Sequence, residues 1–261
     1  MSKPKAIMSW SGGKDSALAL YHALRSGLWD VTGLLTTVNE QHQRVSMHGV
    51  RTELLAAQAN RLRLPLQELK LPGDVSMEVY NARMQEAYAV LRKQGVTQAI
   101  FGDIFLEDLR AYRVRELEQV GLSGVFPIWQ RNSTELIHEF VDLGFRAVLV
   151  CVNEKQLDSE FVGRELDLDL LKDLPKSVDP CGENGEYHTF VYDGPIFSSP
   201  ILFDKGQIVR RTYTPSGGSD CHGDEADEDA WDTGFWYQDL QLQSEEVVRP
   251  AEPAGELESD R

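Results

Sequence analysis

With 261 residues, 41% of them hydrophobic and 9% aromatic, the chain can bury a core as one large domain or two modest ones, which excludes an intrinsically disordered protein. A formal net charge of -16 would repel a phosphate backbone and argues against a general nucleic-acid binder. No run of about eighteen apolar residues occurs that could span a membrane, the early run Ala6-Ile7-Met8 is too short for a signal peptide, and Cys151, Cys181 and Cys221 form no CxxC pair. An odd number of scattered thiols speaks against a disulfide framework or a zinc knuckle, so a cytoplasmic protein is expected.

Lys5 to Ser9 reads as a short buried strand, followed by a Ser/Gly turn and the helical spacing of Ala17, Leu18, Leu20, Tyr21 and Leu24, which Gly27 stops. Val31 to Val38 supplies a second strand, and Val50, Leu54, Leu55, Ala59 and Leu62 a second helix. A third strand is predicted at Leu66 to Leu71, a long helix at Val75 to Gln94, and a compact strand at Ala99 to Asp103 whose end carries polar groups. Helical spacing resumes from Leu106 to Val120. Val125 to Ile128 is a further apolar run, Ser133 is placed as the cap of a helix reaching Leu143, and Arg146 to Val152 adds another strand.

This alternation predicts an α/β protein built on a doubly wound parallel sheet, and the absence of a fixed-period repeat argues against a solenoid. After Val152 the rhythm changes to a polar helical stretch from Leu157 to Leu174 and strand-like pieces at Thr189 to Tyr192 and Ile208 to Tyr213. The expected division is therefore 1–150 for the sheet domain, 151–215 for a smaller C-terminal α+β domain, and 216–261 for an acidic extension suited to solvation rather than catalysis. Within that extension, Trp231, Phe235, Trp236 and Tyr237 predict a segment that docks on the body or on a second copy of a homodimer.

The loop Ser11-Gly12-Gly13-Lys14-Asp15-Ser16 follows a strand and opens a helix, so backbone N–H groups and the helix dipole converge on a volume the size of one anion. Glycine lets the backbone approach, Lys14 brings a positive charge, and the hydroxyls of Ser11 and Ser16 can donate to phosphate oxygens. Asp15 is unsuited to holding phosphate itself; it can orient Lys14, cap the helix or help hold Mg2+. The spacing is not that of a Walker A loop, because Gly12-Gly13 directly precede Lys14. It resembles the SGGxDS signature of the PP-loop ATP pyrophosphatases. That resemblance implies cleavage of ATP between the α and β phosphates, transfer of AMP to a substrate oxygen, and displacement by a nitrogen or sulfur nucleophile.

A second dense segment, Asp179-Pro180-Cys181-Gly182-Glu183-Asn184-Gly185-Glu186-Tyr187-His188-Thr189, reads as a sharp polar loop. Its carboxylates Glu183 and Glu186 can bind ammonia as ammonium or take its proton, with His188 as a second proton carrier. Taken with the Ser11 to Ser16 loop and the strand end at Gly102-Asp103, this segment resembles the diphthine-ammonia ligase family over about Lys5 to Tyr213. The resemblance implies an adenine nucleotide alpha hydrolase (HUP-like) fold with a small C-terminal domain, and amidation of the modified histidine diphthine on translation elongation factor two. ATP, Mg2+ and ammonia would be its co-substrates. The loop from Asn39 to His48 is not the tyrosine-rich segment of eukaryotic and archaeal members and is similar to bacterial relatives, for which the acceptor would be another, small molecule.

Three further groups sit where open parallel sheets bind ligands. His48 after the second strand is placed against nucleotide or acceptor, while Gly102 and Asp103 after the strand at Ala99 offer close backbone approach and a carboxylate for the metal or acceptor. Arg110, Arg113 and Arg115, set among acidic neighbours, read as a salt-bridged surface. Trp10 reads as packing and Cys181 as a silent thiol. Two rivals are weaker: tRNA thiolation wants cysteine pairs and a basic surface, and a nucleotide sensor of the universal stress type has no use for the glutamate cluster.

Overall fold

A computed structural model describes residues 2–41, 44–45, 49–73, 75–213 and 233–243. The first half alternates as expected: β1 (Lys5–Ser9), α1 (Lys14–Ser26), β2 (Asp30–Asn39), β3 (Arg44–Val45), α2 (Thr52–Leu62), β4 (Leu66–Leu71), α3 (Met77–Lys93), β5 (Val96–Ile100), α4 (Glu107–Gln119) and β6 (Ser123–Val125). Five of these strands lie parallel in the order β4-β2-β1-β5-β6. The short β3 runs antiparallel against Val38 and Asn39 at the end of β2. Between β4 and β5 the chain crosses from one side of β1 to the other, so the crevice beyond the C-terminal ends of β1 and β5 is the switch point where doubly wound sheets bind ligands.

Alternation along β1 sends Ala6 and Met8 to one face and Ile7 to the other. The first face packs under Leu18 and Leu20 of α1 and Leu54 and Leu55 of α2, and the second under Tyr88 and Leu91 of α3 and Leu117 of α4. Gly27 ends α1 in the left-handed conformation (φ 64°) with its N–H on the Leu24 carbonyl, the stop that glycine permits.

The chain continues through α5 (Ser133–Asp142), β7 (Arg146–Asn153), a 3-10 turn at Ser159–Phe161, α6 (Leu168–Asp173), β8 (Tyr187–Asp193), β9 (Phe203–Tyr213) and β10 (Thr233–Leu242). Four of these strands form an antiparallel sheet in the order β8-β7-β10-β9. β7 therefore leaves the parallel sheet in which its alternation with helices had placed it. Its residues Ala147 to Val152 are all buried, and such an unbroken apolar run fits a strand covered on both faces in either kind of sheet. The cap of α5 is Asn132, whose side chain accepts the Glu135 N–H, one residue before the expected Ser133. The polar stretch from Leu157 to Leu174 is helical only in the 3-10 turn and α6, because Gly163 (φ 82°) interrupts it and Asp167 caps a fresh start by accepting from Asp169 and Leu170. Phe235, Trp236 and Tyr237, expected to dock on the body, do so as part of β10; Trp231 lies outside the described residues.

One buried side chain joins the two sheets. Gln58 of α2 has no exposed surface; its Nε2 donates to the carbonyls of Gly12 (2.9 Å) and Val191 (2.6 Å), and its Oε1 accepts from Trp10 Nε1 (2.9 Å). Gln58→Leu takes this partner from Trp10 Nε1 and the Val191 carbonyl and leaves the Gly12 carbonyl only the Val191 N–H, each unpaired buried group costing about 1–3 kcal/mol. Urea unfolding should therefore show a loss of about 2–4 kcal/mol. A loss below about 0.5 kcal/mol would mean the sheets are not joined through this amide.

Candidate active site

The N-terminus of α1 is built by contacts from both sheets. Gly12 adopts φ +80°, and a Cβ there would meet Gln58 Oε1 and Leu55 at 2.8 Å, so the turn needs glycine. Gly13 is the N-cap of α1 but offers no side chain; Thr189 of β8 replaces it, accepting the Lys14 N–H on Oγ1 at 3.0 Å. The next residue on that face of β8, Val191, donates its N–H to the Gly12 carbonyl at 2.9 Å. Within the turn, Ser11 Oγ accepts from Gly13 N (3.2 Å) and donates to Ser16 Oγ (3.1 Å), which itself donates to the Gly13 carbonyl (2.9 Å). Gly102 lies against the same helix end: a Cβ there would come within 2.7–2.8 Å of backbone atoms of Asp15 and Ser16.

Opposite the turn, the residues between Asp179 and Tyr187 form a cross-braced loop. Asp179 Oδ1 accepts from the backbone N–H groups of Cys181 and Glu183, and Gly182 (φ +67°) turns the chain against the Tyr187 ring, where a Cβ would sit 2.9 Å away. Glu186, 1% exposed, accepts from Asp179 N (2.9 Å), Asn184 N (2.8 Å) and Asn184 Nδ2 (3.1 Å). Glu183 points the other way and accepts the Ile104 N–H on Oε1 at 2.8 Å, tying the loop to the segment that follows β5.

A cavity of about 580 Å³ opens between the turn and the loop. Of the residues singled out in the sequence, it brings together Ser11, Gly13, Lys14, Asp15, Ser16, Gly102, Asp103, Glu183 and His188. Gly12 shapes the turn without lining the cavity, Glu186 is absorbed in bracing its loop, and His48 lies outside the described residues. Arg113 is the main departure from the surface role given to the α4 arginines. It lines the cavity, pairs through Nε with Asp103 Oδ2 at 2.8 Å and stacks over the Phe101 ring at 4.6 Å. Arg110 instead stacks on Phe126 and Trp129, and Arg115 pairs with Glu116 at the surface. Thr189, read only as the end of the polar segment and the start of a strand, and Gln58, not singled out, owe their roles to partners 175 and 46 residues away.

The electrostatics are those of closely spaced charges at the wall of a cavity, with Lys14 buried and Asp15 and Glu183 half-buried. Burial alone would lower the pKa of the Lys14 ammonium, but Asp15, whose Oδ2 lies 2.8 Å from Nζ, and the nearby Tyr187 ring outweigh it and hold the pKa above the usual lysine range. Burial pushes the Asp15 carboxyl upward while Lys14 opposes the shift. Burial, followed by the charge of Asp15, pushes Glu183 up to about 7, with the Ile104 N–H acting in the opposite sense. Cys181 is raised by burial, which keeps it an unreactive thiol beside the Ser133 carbonyl.

A helix N-terminus opening on the switch point of a doubly wound sheet, faced by a half-buried carboxyl of raised pKa, is the layout of a nucleotide-binding α/β protein. Models of the diphthamide synthase N-terminal domain and C-terminal domain match residues 4–123 and 132–213, and the chain belongs to this family. It is similar to the diphthine–ammonia ligase of Bos taurus, at 27% identity over an alignment of 226 residues that covers 76% of this chain and 82% of the relative. The Homo sapiens enzyme of the same name is 27% identical over 224 residues with the same shares. The Schizosaccharomyces pombe enzyme is 26% identical over 231 residues, covering 81% of this chain and 37% of that relative.

The raised Glu183 pKa carries a stability signature. A carboxyl whose folded-state pKa lies above its ordinary 4.5 contributes stability that is complete below that value and is lost as pH rises through about 7. Glu183→Gln keeps the acceptor for Ile104 without the buried charge. It should therefore match the parent near pH 4.5 and exceed it by about 1–3 kcal/mol at pH 8, read as a pH-dependent gain in melting temperature. An equal offset at both pH values would assign the effect to packing instead.

Proposed function

We infer that this chain is an ATP-dependent ligase that activates a carboxylate and joins ammonia to it, releasing AMP and pyrophosphate. The observation that carries the reading is the placement of Glu183, a carboxyl poised near pH 7, across one cavity from the N-terminus of α1. The relatives' name supplies the acceptor, diphthine, here taken as the modified histidine of translation elongation factor two. A cytoplasmic setting accords with the buried free thiols Cys151 and Cys181.

In this mechanism the β and γ phosphates of ATP rest on the Ser11 to Ser16 turn, with Lys14 as the counter-charge. A carboxylate oxygen of the acceptor attacks the α phosphorus, the α–β P–O bond breaks, and pyrophosphate departs toward Lys14 and the helix end. Ammonia then attacks the acyl carbon, AMP leaves with the electrons of the C–O bond, and the nitrogen loses a proton to form the amide. Glu183 receives that proton, a task for which a pKa near the working pH is suited. His188, on the same wall, serves as a second carrier.

A Mg2+ ion, if bound with the triphosphate, would offset part of its negative charge. Asp15 is the carboxylate proposed to touch it. Glu186 is a positioning residue whose three accepted hydrogen bonds hold Asp179 and Asn184 in place on either side of Glu183.

Incubation with ATP, ammonium and diphthine-bearing elongation factor should yield AMP, pyrophosphate and amide in equal amounts. Lys14→Ala should lower that rate by about 10²-fold or more. At a fixed concentration of free ammonia the rate should rise with pH through about 7 in the parent, as the Glu183 carboxylate forms, and this limb should vanish in Glu183→Gln. Release of ADP and phosphate, or full turnover in Lys14→Ala, would contradict the assignment.

A further inference from the structure

Both matched domains end by residue 213, yet β10 lies beyond them and reaches the cavity. Phe235 lines it directly. On the same face of the strand, two residues further on, Tyr237 packs against Gly49, where a Cβ would fall 2.8 Å from its ring. Asp239 continues the series and accepts from two arginines of the N-terminal unit: from Arg44 Nη2 at 2.8 Å and, in a two-pronged pair, from Arg51 Nε at 3.0 Å and Nη2 at 2.8 Å. Arg44 also donates through Nη1 to the Gly49 carbonyl at 2.6 Å.

One carboxylate thus holds both ends of the connection between β3 and α2. Arg44 lies in β3 and Arg51 is the N-cap residue of α2. Between them in the cavity wall sits Val45, whose N–H donates to the Val50 carbonyl at 2.8 Å. Asp239 is only 13% exposed, and a forked pair with a second arginine in that setting is stronger than the screened ion pairs of an open surface. The arginines hold its carboxyl below the usual carboxylate range, so the latch stays charged across the working pH.

We propose that Asp239 is a positioning residue for nucleotide binding: through Arg44 and Arg51 it sets Val45 and Phe235 as the apolar wall that seats the nucleoside end of ATP. This rests on the ATP reading given above. The charged groups of the cavity, Lys14, Asp15, Asp103, Arg113 and Glu183, occupy the turn and the β5 side. On the β2 side the cavity is lined by Leu35, Val45 and Phe235 with the uncharged Thr36 and Thr37, an apolar wall with a few hydroxyls that suits a flat base better than phosphates or a carboxylate.

The test compares two ligands of the full chain by titration calorimetry: ATP, which has a nucleoside, and pyrophosphate, which has none. Asp239→Asn should weaken ATP about tenfold while pyrophosphate affinity stays within about twofold, and Asp239→Glu should recover part of the loss. Phe235→Ala carries the same expectation without touching the ion cluster, so the proposal stays testable should Asp239→Asn fold poorly. Unchanged ATP affinity in folded variants, or equal weakening of both ligands, would overturn it. A parent protein that binds ATP but makes no AMP would instead remove the ligase reading and leave this binding comparison intact.

Discussion

Everything in the site rests on how β8 grips the turn that opens α1. A helix N-terminus can receive phosphate only if its first N–H groups are held in a fixed fan, and a two-glycine turn is the least rigid sequence to ask for that. Here the rigidity comes from the far end of the chain: Thr189 takes the first N–H, Val191 bonds to Gly12, and Gln58 ties both strands together from beneath. The antiparallel sheet is thus the back wall of the phosphate turn as well as the carrier of the Glu183 loop.

In the proposed mechanism that grip brings the acid–base carboxyl and the phosphate turn to one place. β8 starts at Tyr187, directly after the loop bearing Glu183, so the strand that fixes the turn also sets the reach of the carboxyl across it. The energetic cost is visible in the same residues. Lys14 is buried and Asp15 and Glu183 are half-buried, so burial and mutual charge raise both carboxyls while Asp15 holds Lys14 protonated. In that mechanism a departing pyrophosphate meets a lysine held protonated by Asp15, and the ammonia adduct a carboxyl placed to accept its proton.

Local pattern in the sequence carried the parallel sheet, its helices and the phosphate turn, because strand and helix periods and Gly/Ser turn chemistry are written within a few residues. The loop from Asp179 to His188 was legible as polar and sharp, but not the division of labour inside it. Glu183 and Glu186 differ only in which way they point, and that depends on Asn184, Asp179 and Ile104. β7 was legible as a strand and not as a member of the antiparallel sheet, since its partners β8 and β10 are distant. Arg113 was hidden among acidic neighbours in α4, and only the fold shows that it turns inward to Asp103. The roles of Gln58 and Thr189 carried no local signal, because long-range hydrogen bonds leave no period in a sequence.

The most direct test is a crystal of the protein grown with an ATP analogue whose α–β bridge is a methylene group. The account predicts β and γ phosphates within hydrogen-bond distance of the Ser11 to Ser16 backbone and of Lys14, with the α phosphorus facing Glu183 across the cavity. A triphosphate bound elsewhere, with the turn left to solvent, would contradict it.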